Sequence, residues 1–156
     1  MSRRTISKKR VPLADPKYNS RTIGRFINRM MHAGKKTVAE KVIYRALEMV
    51  AERTKKNPTE IFEQAIKNAG PMIEVRPRRV GGSTLQVPVD VPSDRRQALA
   101  VRWILASVRA RSGKDFSEKL AGELIDCAAG QGSTIKKKEE VHKMAEANRA
   151  FAHYRW

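Results

Sequence analysis

The apolar residues of this chain follow a helical spacing over most of its length and switch to strict alternation once. The switch covers residues 72–91, where apolar and polar residues alternate on both sides of Gly81-Gly82. Helical spacing is typical of amphipathic helices, whereas alternation around a glycine pair is typical of a β-hairpin. We therefore predict a mainly α fold, a six-helix domain with a protruding two-stranded antiparallel β-hairpin between helices three and four.

Capping residues precede five of the six helical stretches. A Ser, Thr, Asp or Asn at the cap accepts a hydrogen bond from the first turn, and a Glu or Gln three residues later can close a capping box. The sixth helix is expected to run from near Ser133 nearly to Trp156. The five predicted starts are Ser20, Thr37 with Glu40, Asn57 with Pro58 and Glu60, Asp94 with Gln97, and Asp115 with Glu118.

Helix four is expected to be covered on two faces, because apolar residues occur on both. The main buried stripe is predicted to be Leu99, Trp103, Ala106 and Ala110. Val101, Ile104 and Val108 are predicted to lie on the second face.

The hairpin turn can be built in two ways. A two-residue turn at Gly81-Gly82 places Arg76 opposite Val87. A three-residue loop places Arg76 opposite Pro88 and separates the apolar side chains from the charged ones between the two faces. We favour the second register. Strands of seven residues then form an arm about 23 Å long.

With 156 residues, the chain is expected to form one domain that needs no disulfide or metal to fold. Residues 1–19 have no helical period, so we expect a basic N-terminal tail that is disordered until bound. Residues 20–156 are expected to form the helical domain, with the β-arm at about 72–91. The single Cys127 cannot form an internal disulfide, and no apolar run approaches the roughly 20 residues of a membrane-spanning helix.

Positive charge is concentrated in two stretches of the chain. The net charge is +17, and the first 36 residues contain eleven Lys or Arg against one acid, Asp15. Residues 92–111 add five Arg against Asp94, whereas the remaining segments are nearly neutral. A protein that meets a polyanion concentrates its cations, because each phosphate needs one nearby. The pattern therefore favours nucleic-acid binding.

The candidate nucleic-acid-binding residues form four clusters, in the tail, on helix one and the corner after it, in the hairpin, and on helix four. Arginine dominates the last two clusters, and its planar fork grips phosphate with two hydrogen bonds. In helix four, three Arg spaced seven apart line one edge at about 10 Å intervals. We predict that the four clusters form one cationic surface. The candidates are Arg3, Arg4, Lys8, Lys9, Arg10, Arg21, Arg25, Asn28, Lys35, Lys36, Arg76, Arg78, Arg79, Arg95, Arg102 and Arg109.

The sequence gives little support for catalysis. His142 and His153 are eleven residues apart on a predicted helix, about 16 Å along its axis, which is too far for one metal ion. Residues 80–84 lie between two strands and lack the Lys of a phosphate-binding loop, so we interpret them as a turn. We expect no catalytic residue, no metal and no cofactor. The residues alone do not separate RNA from DNA, so a basic helical DNA-binding protein remains an alternative, and a nuclease or RNA-modifying enzyme is a second.

Five motifs carry a resemblance that covers nearly the whole chain. They are DPKY at 15–18, GKK at 34–36, EVRPRRVGGSTLQVPV at 74–89, ALAVRW at 98–103 and KKKEEVHKMAEANRAFAHYRW at 136–156. With these motifs the chain resembles the bacterial-type small-ribosomal-subunit protein family conventionally numbered seven. It departs from the family pattern at Leu85, where an aromatic residue or His is usual, and at Pro77, where a small residue is common.

The resemblance implies a structural constituent of the small ribosomal subunit that is not an enzyme. It implies primary binding to the 3′ major domain of small-subunit rRNA, which organises the head. The β-arm is expected near exit-site tRNA and mRNA, and neighbouring small-subunit proteins are expected on the helical side. The implied location is the ribosome of the bacterial cytoplasm or of an organelle of bacterial descent. The resemblance implies no membrane contact and no obligate homo-oligomer. Some members of the family also bind their own messenger.

Overall fold

The computed structural model describes residues 12–113 and 115–154 of the chain. The predicted fold class is confirmed, because this part contains six α-helices and a two-stranded antiparallel hairpin between the third and fourth of them. The sixth helix ends earlier than predicted and is followed by a 3₁₀ helix. The elements are α1 (Arg21–Met30), α2 (Lys36–Thr54), α3 (Pro58–Ala69), β1 (Ile73–Val80), β2 (Ser83–Asp90), α4 (Ser93–Ala110), α5 (Phe116–Ala128), α6 (Ser133–Ala147) and the 3₁₀ helix (Arg149–Tyr154).

Local hydrogen bonds explain where three of the helices begin. The side chains of Ser20, Asn57 and Asp115 each accept a hydrogen bond from a backbone N–H in the first turn of α1, α3 and α5. These predicted caps are confirmed. Each bond satisfies one of the N–H groups that a helix start leaves without an intrahelical partner.

The caps predicted for α2 and α4 are wrong. Helix α2 begins at Lys36, one residue before the predicted cap Thr37, and Glu40 forms an ion pair with Lys36 at 3.6 Å instead of closing a box. Helix α4 begins at Ser93 without a side-chain cap. Asp94 therefore lies inside the first turn, where its negative charge is favourable beside the helix N-terminus but cannot cap it.

Helix α5 lies at the centre of the body, in contact with α2, α3 and α4. Phe26 of α1 and Phe62 of α3 are fully buried and meet edge to face, with 5.4 Å between their ring centroids. Among the described elements, none combines the length and the apolar character that a membrane-spanning helix needs.

The buried face of α4 differs from the predicted main stripe. Leu99 is buried and Trp103 is half-buried, but Ala106 and Ala110 are exposed. Helix α4 contacts α1, α3, α5 and α6, so the face predicted as secondary is in fact the one that meets the body. The residues of α4 that join Leu99 in the buried set are Ala100, Val101, Ile104, Leu105 and Val108.

The favoured hairpin register is wrong, because Arg76 pairs with Val87 across the two-residue turn Gly81-Gly82. The φ angles of these glycines are 56° and 88°. The short turns that suit the twist of a hairpin need positive φ at both central positions, and glycine adopts it without steric cost. Separation of apolar and charged faces does not decide the register, since the outer half of the arm is largely exposed on both sides.

The inner half of the arm is held by the body. Val87 and Val91 are buried, β1 lies against α6, and β2 lies against the 3₁₀ helix. The backbone N–H of Met72 donates to Nε2 of His142 on α6 at 3.1 Å. Burial and the nearby Lys138 charge lower the pKa of His142, which favours the neutral ring that accepts this bond. The base of the arm is therefore fixed to α6.

Residues 12–19, which were predicted to belong to the tail, lie against α1 and α2. The Asp15 carboxylate is buried and accepts a hydrogen bond from the Tyr44 hydroxyl at 2.6 Å, besides two from nearby backbone N–H groups. Burial and this hydrogen bond raise the pKa of Tyr44. A Cβ added to Gly24 of α1 would lie 2.6 Å from the carbonyl oxygen of Leu13, so the close approach depends on glycine.

Candidate nucleic-acid interface

Helices α1 and α4 lie side by side and leave a groove of about 370 Å³ between them. Arg25 and Arg29 line the groove from α1, and Gln97 and Arg102 line it from α4. Nη1 of Arg25 donates to Oε1 of Gln97 at 3.0 Å, which holds this guanidinium at the groove. The fold thus brings together two of the cationic clusters that the sequence keeps far apart.

A second hollow, of about 220 Å³, lies at the C-terminal ends of α1 and α4. Lys35 and Arg109 line it together with the exposed His32, and its apolar lining includes Val38 and Phe116. Lys35 comes from the corner after α1 and Arg109 from the last turn of α4. The predicted corner and helix-four clusters therefore also meet.

Several cations at these two hollows have no acidic partner among the described residues. On α2, for comparison, Arg45 forms an ion pair with Asp115 at 3.3 Å. An unpaired guanidinium keeps its charge and its N–H donors available for a phosphate. Within the described residues, the arginines at the hollows without an ion-pair partner are Arg29, Arg102 and Arg109.

The observed register divides the three arm arginines between the two faces of the hairpin. Arg76 and Arg78 project on the same face as Glu74, whereas Arg79 projects on the opposite face. Arg78 and Arg79 are exposed in the outer half of the arm. The arm therefore offers cations to both of its sides rather than extending one cationic surface.

Glu74 connects the arm to α4 through two arginines. Nε of Arg76 donates to Oε1 of Glu74 at 2.6 Å, and Nε of Arg95 donates to both carboxylate oxygens at 2.7 and 2.8 Å. Burial alone raises the pKa of Glu74, but the hydrogen bonds from Arg95 and Arg76 outweigh burial and lower the pKa. Glu74 was not among the predicted site residues. The signal in the sequence was an acid two residues before Arg76, because this spacing puts both side chains on one face of a strand.

The remaining predicted residues lie at the edge of this surface or outside the described residues. Arg21 and Asn28 are exposed on α1. Lys36 pairs with Glu40 and lines, with Asn28, a hollow of about 190 Å³ beside residues 13–16. The predicted contacts that lie outside the described residues are Arg3, Arg4, Lys8, Lys9 and Arg10.

The described residues show neither a metal-binding cluster nor a thiol that is ionised at neutral pH. Across 12–113 and 115–154, no three or more His, Cys, Asp or Glu side chains are placed to hold a metal ion. Burial raises the pKa of the Cys127 thiol to about 12, so this thiol stays protonated at neutral pH.

Comparison with known proteins places the chain among the ribosomal proteins, a structural class. The family model described as ribosomal protein S7p/S5e matches residues 2–149, so the chain belongs to this family. The small ribosomal subunit protein uS7 of Roseiflexus castenholzii is 60% identical over 99% of this chain and 98% of its own length. Proteins of the same name from Chloroflexus aurantiacus and Thermomicrobium roseum are 59% and 55% identical, over 97% and 100% of this chain and 96% and 100% of their own lengths. The resemblance stated from the motifs is confirmed.

Proposed function

We propose that this protein is a structural constituent of the small ribosomal subunit, without catalytic activity, that binds the 3′ major domain of small-subunit rRNA and organises the head. The relatives' names support the ribosomal role. The observation that carries RNA binding is a set of arginines on α1 and α4, namely Arg29, Arg102 and Arg109, that line two hollows and have no ion-pair partner among the described residues. The protein acts in the cytoplasm as part of the ribosome and is not an obligate homo-oligomer.

Binding proceeds by neutralisation of phosphates on a preformed surface. The basic tail before Pro12 increases the rate of encounter with the RNA, because its cations attract phosphates over a distance. The helical body then presents cations at fixed spacings, so that a folded RNA of matching shape binds best. Each neutralised phosphate releases counterions, which makes the affinity depend steeply on salt.

The proposal is tested by competition between nucleic acids at matched salt. We expect the protein to bind the 3′ major domain more tightly than the 5′ domain of the same rRNA or duplex DNA. For five or six neutralised phosphates, the logarithm of the affinity should fall with the logarithm of salt at a slope of about −4. Equal affinity for duplex DNA would favour the alternative, a basic helical DNA-binding protein.

The β-arm is proposed to contact exit-site tRNA and mRNA, and the helical side to contact neighbouring small-subunit proteins. The arm projects from the body with Arg78 and Arg79 exposed in its outer half. A protein that meets two RNA molecules needs cations on separate surfaces, and the two faces of the arm supply them.

A shortened arm tests this separation. Replacing residues 78–85 by a Gly-Gly turn connects Pro77 through that turn to its cross-strand partner Gln86 and leaves the packed inner half intact. We expect binding to the 3′ major domain to stay within about threefold, because the groove cations remain. Retention of exit-site tRNA by reconstituted subunits should fall.

The matched control keeps the full arm and replaces only Arg78 and Arg79 by alanine. A tRNA-retention defect in both variants assigns the effect to charge. Loss of rRNA binding with tRNA retention unchanged would contradict the proposed role of the arm.

A further inference from the structure

The carboxylate at the base of the arm holds two arginines side by side. Arg76 belongs to β1 and Arg95 to the first part of α4, and both donate through Nε to Glu74. The Glu74 side chain is only 9% exposed, whereas those of Arg76 and Arg95 are 42% and 46% exposed. One buried acid therefore has two partly exposed cations around it.

The donors that Glu74 uses leave the outer ends of both arginines available. A guanidinium carries five N–H donors, one on Nε and four on the two terminal nitrogens. The Nε–H groups are engaged by Glu74, and no terminal nitrogen of either arginine makes a hydrogen bond or ion pair within the described residues. The terminal donors match the paired oxygens of a phosphate.

The charge balance of this cluster also points to an anion. Two adjacent guanidinium groups repel each other, and the carboxylate between them cancels one of the two charges. The cluster keeps one positive charge at a position where the arm joins the body. A pairing that served the fold alone would be satisfied by one arginine, since a buried carboxylate with a bidentate partner is already neutralised.

We infer that Glu74 is a positioning residue for RNA, which holds Arg76 and Arg95 as a two-arginine clamp for one backbone phosphate at the base of the arm. The inference rests on the proposed function and extends it, because it assigns an acid to the RNA-binding surface. The clamp also fixes the arm relative to α4, so the position of a phosphate bound there depends on the orientation of the arm relative to the body.

The test is Glu74→Gln, measured by binding to the 3′ major domain over a range of salt concentrations. Glutamine preserves the size of the side chain but removes the charge that aligns the two arginines. We expect about tenfold weaker binding and a salt slope smaller by about one, as for one lost phosphate contact. Net charge alone predicts tighter binding, since the variant carries one more unit of positive charge than the wild-type protein.

Glu139→Gln is the matched control, because Glu139 is exposed on α6 and its removal changes the net charge equally. We expect the control to bind RNA as tightly as the wild-type protein or slightly more tightly. Affinity of Glu74→Gln equal to or above that of the control would overturn the clamp.

A second measurement separates the clamp from a loosened fold. In an Arg95→Lys background one of the two terminal forks is lost and the clamp is already broken, so adding Glu74→Gln should weaken binding by less than a further threefold. An equal loss in both backgrounds would mean that Glu74 acts through folding, and the clamp would be rejected. If wild-type protein shows no preference for the 3′ major domain, the proposed function itself fails. If wild type does show it and Glu74→Gln keeps full affinity, only this inference fails.

Discussion

Replacing Arg29, Arg102 and Arg109 together by alanine is expected to weaken binding to the 3′ major domain by about two to three orders of magnitude near 100 mM salt. These side chains line the two hollows of α1 and α4 and have no ion-pair partner among the described residues. No carboxylate among the described residues is paired with them, so none has to be displaced by the phosphate. The salt slope should also become smaller by about two to three, one for each lost phosphate contact. Titrations at several salt concentrations measure both quantities.

The matched control removes three cations from helix α2, outside the α1–α4 surface. Arg45 and Arg53 form ion pairs with Asp115 and Glu118, and Lys41 is exposed on the same helix α2. Their joint replacement by alanine changes the net charge equally, and we expect affinity to fall less than about fivefold. Equal losses in the two triple variants would show that the protein senses total charge rather than the α1–α4 surface.

Glu123→Ala is expected to lower the free energy of unfolding by about 2 to 3 kcal/mol. Glu123 is 2% exposed and joins three elements. Its carboxylate accepts hydrogen bonds from the Thr134 hydroxyl at 2.6 Å, from the Thr134 backbone N–H at 3.2 Å and from Nη1 of Arg111 at 3.2 Å. Alanine would leave the buried Thr134 hydroxyl without this acceptor. Chemical denaturation followed by circular dichroism measures the change.

Glu118→Ala serves as the comparison within the same helix. Its carboxylate is exposed and pairs with Arg53 at 3.4 Å, so its removal should cost less than about 1 kcal/mol. Similar losses for the two variants would contradict a special role of the buried carboxylate.

The starts of α1, α3 and α5 could be predicted because a cap acts over two or three residues of sequence. Ser20, Asn57 and Asp115 need only the chain that follows them. The buried face of α4 could not be predicted in the same way, since that helix has apolar residues on two faces and contacts four other helices. Which face is covered depends on the packing of the whole body.

The hairpin register was predicted wrongly for a related reason. The rule that separates apolar from charged faces assumes that one face is buried along the whole strand. Only the inner half of this arm touches the body, so the positive φ values at Gly81-Gly82 determine the register instead.

The candidate interface was predictable in its helical parts and not at the base of the arm. Exposed arginines on α1 and α4 follow from helical spacing, which is a local property. The contact of Arg95 with Glu74 joins residues 21 apart in sequence and exists only because the arm folds back beside α4. An acid on the proposed RNA-binding surface also has the wrong sign for any search that counts cations.

The division of the arm into a packed inner half and an exposed outer half has a consequence for its local stability. Opening the pairs beyond Arg76 and Val87 exposes little apolar surface, so residues 78–86 should exchange their amide hydrogens through local fluctuations while the body stays folded. The amide of the buried Val87 should exchange far more slowly. A nucleic acid that binds the outer half would slow exchange there without altering the unfolding of the body, because binding stabilises only the unit that it contacts.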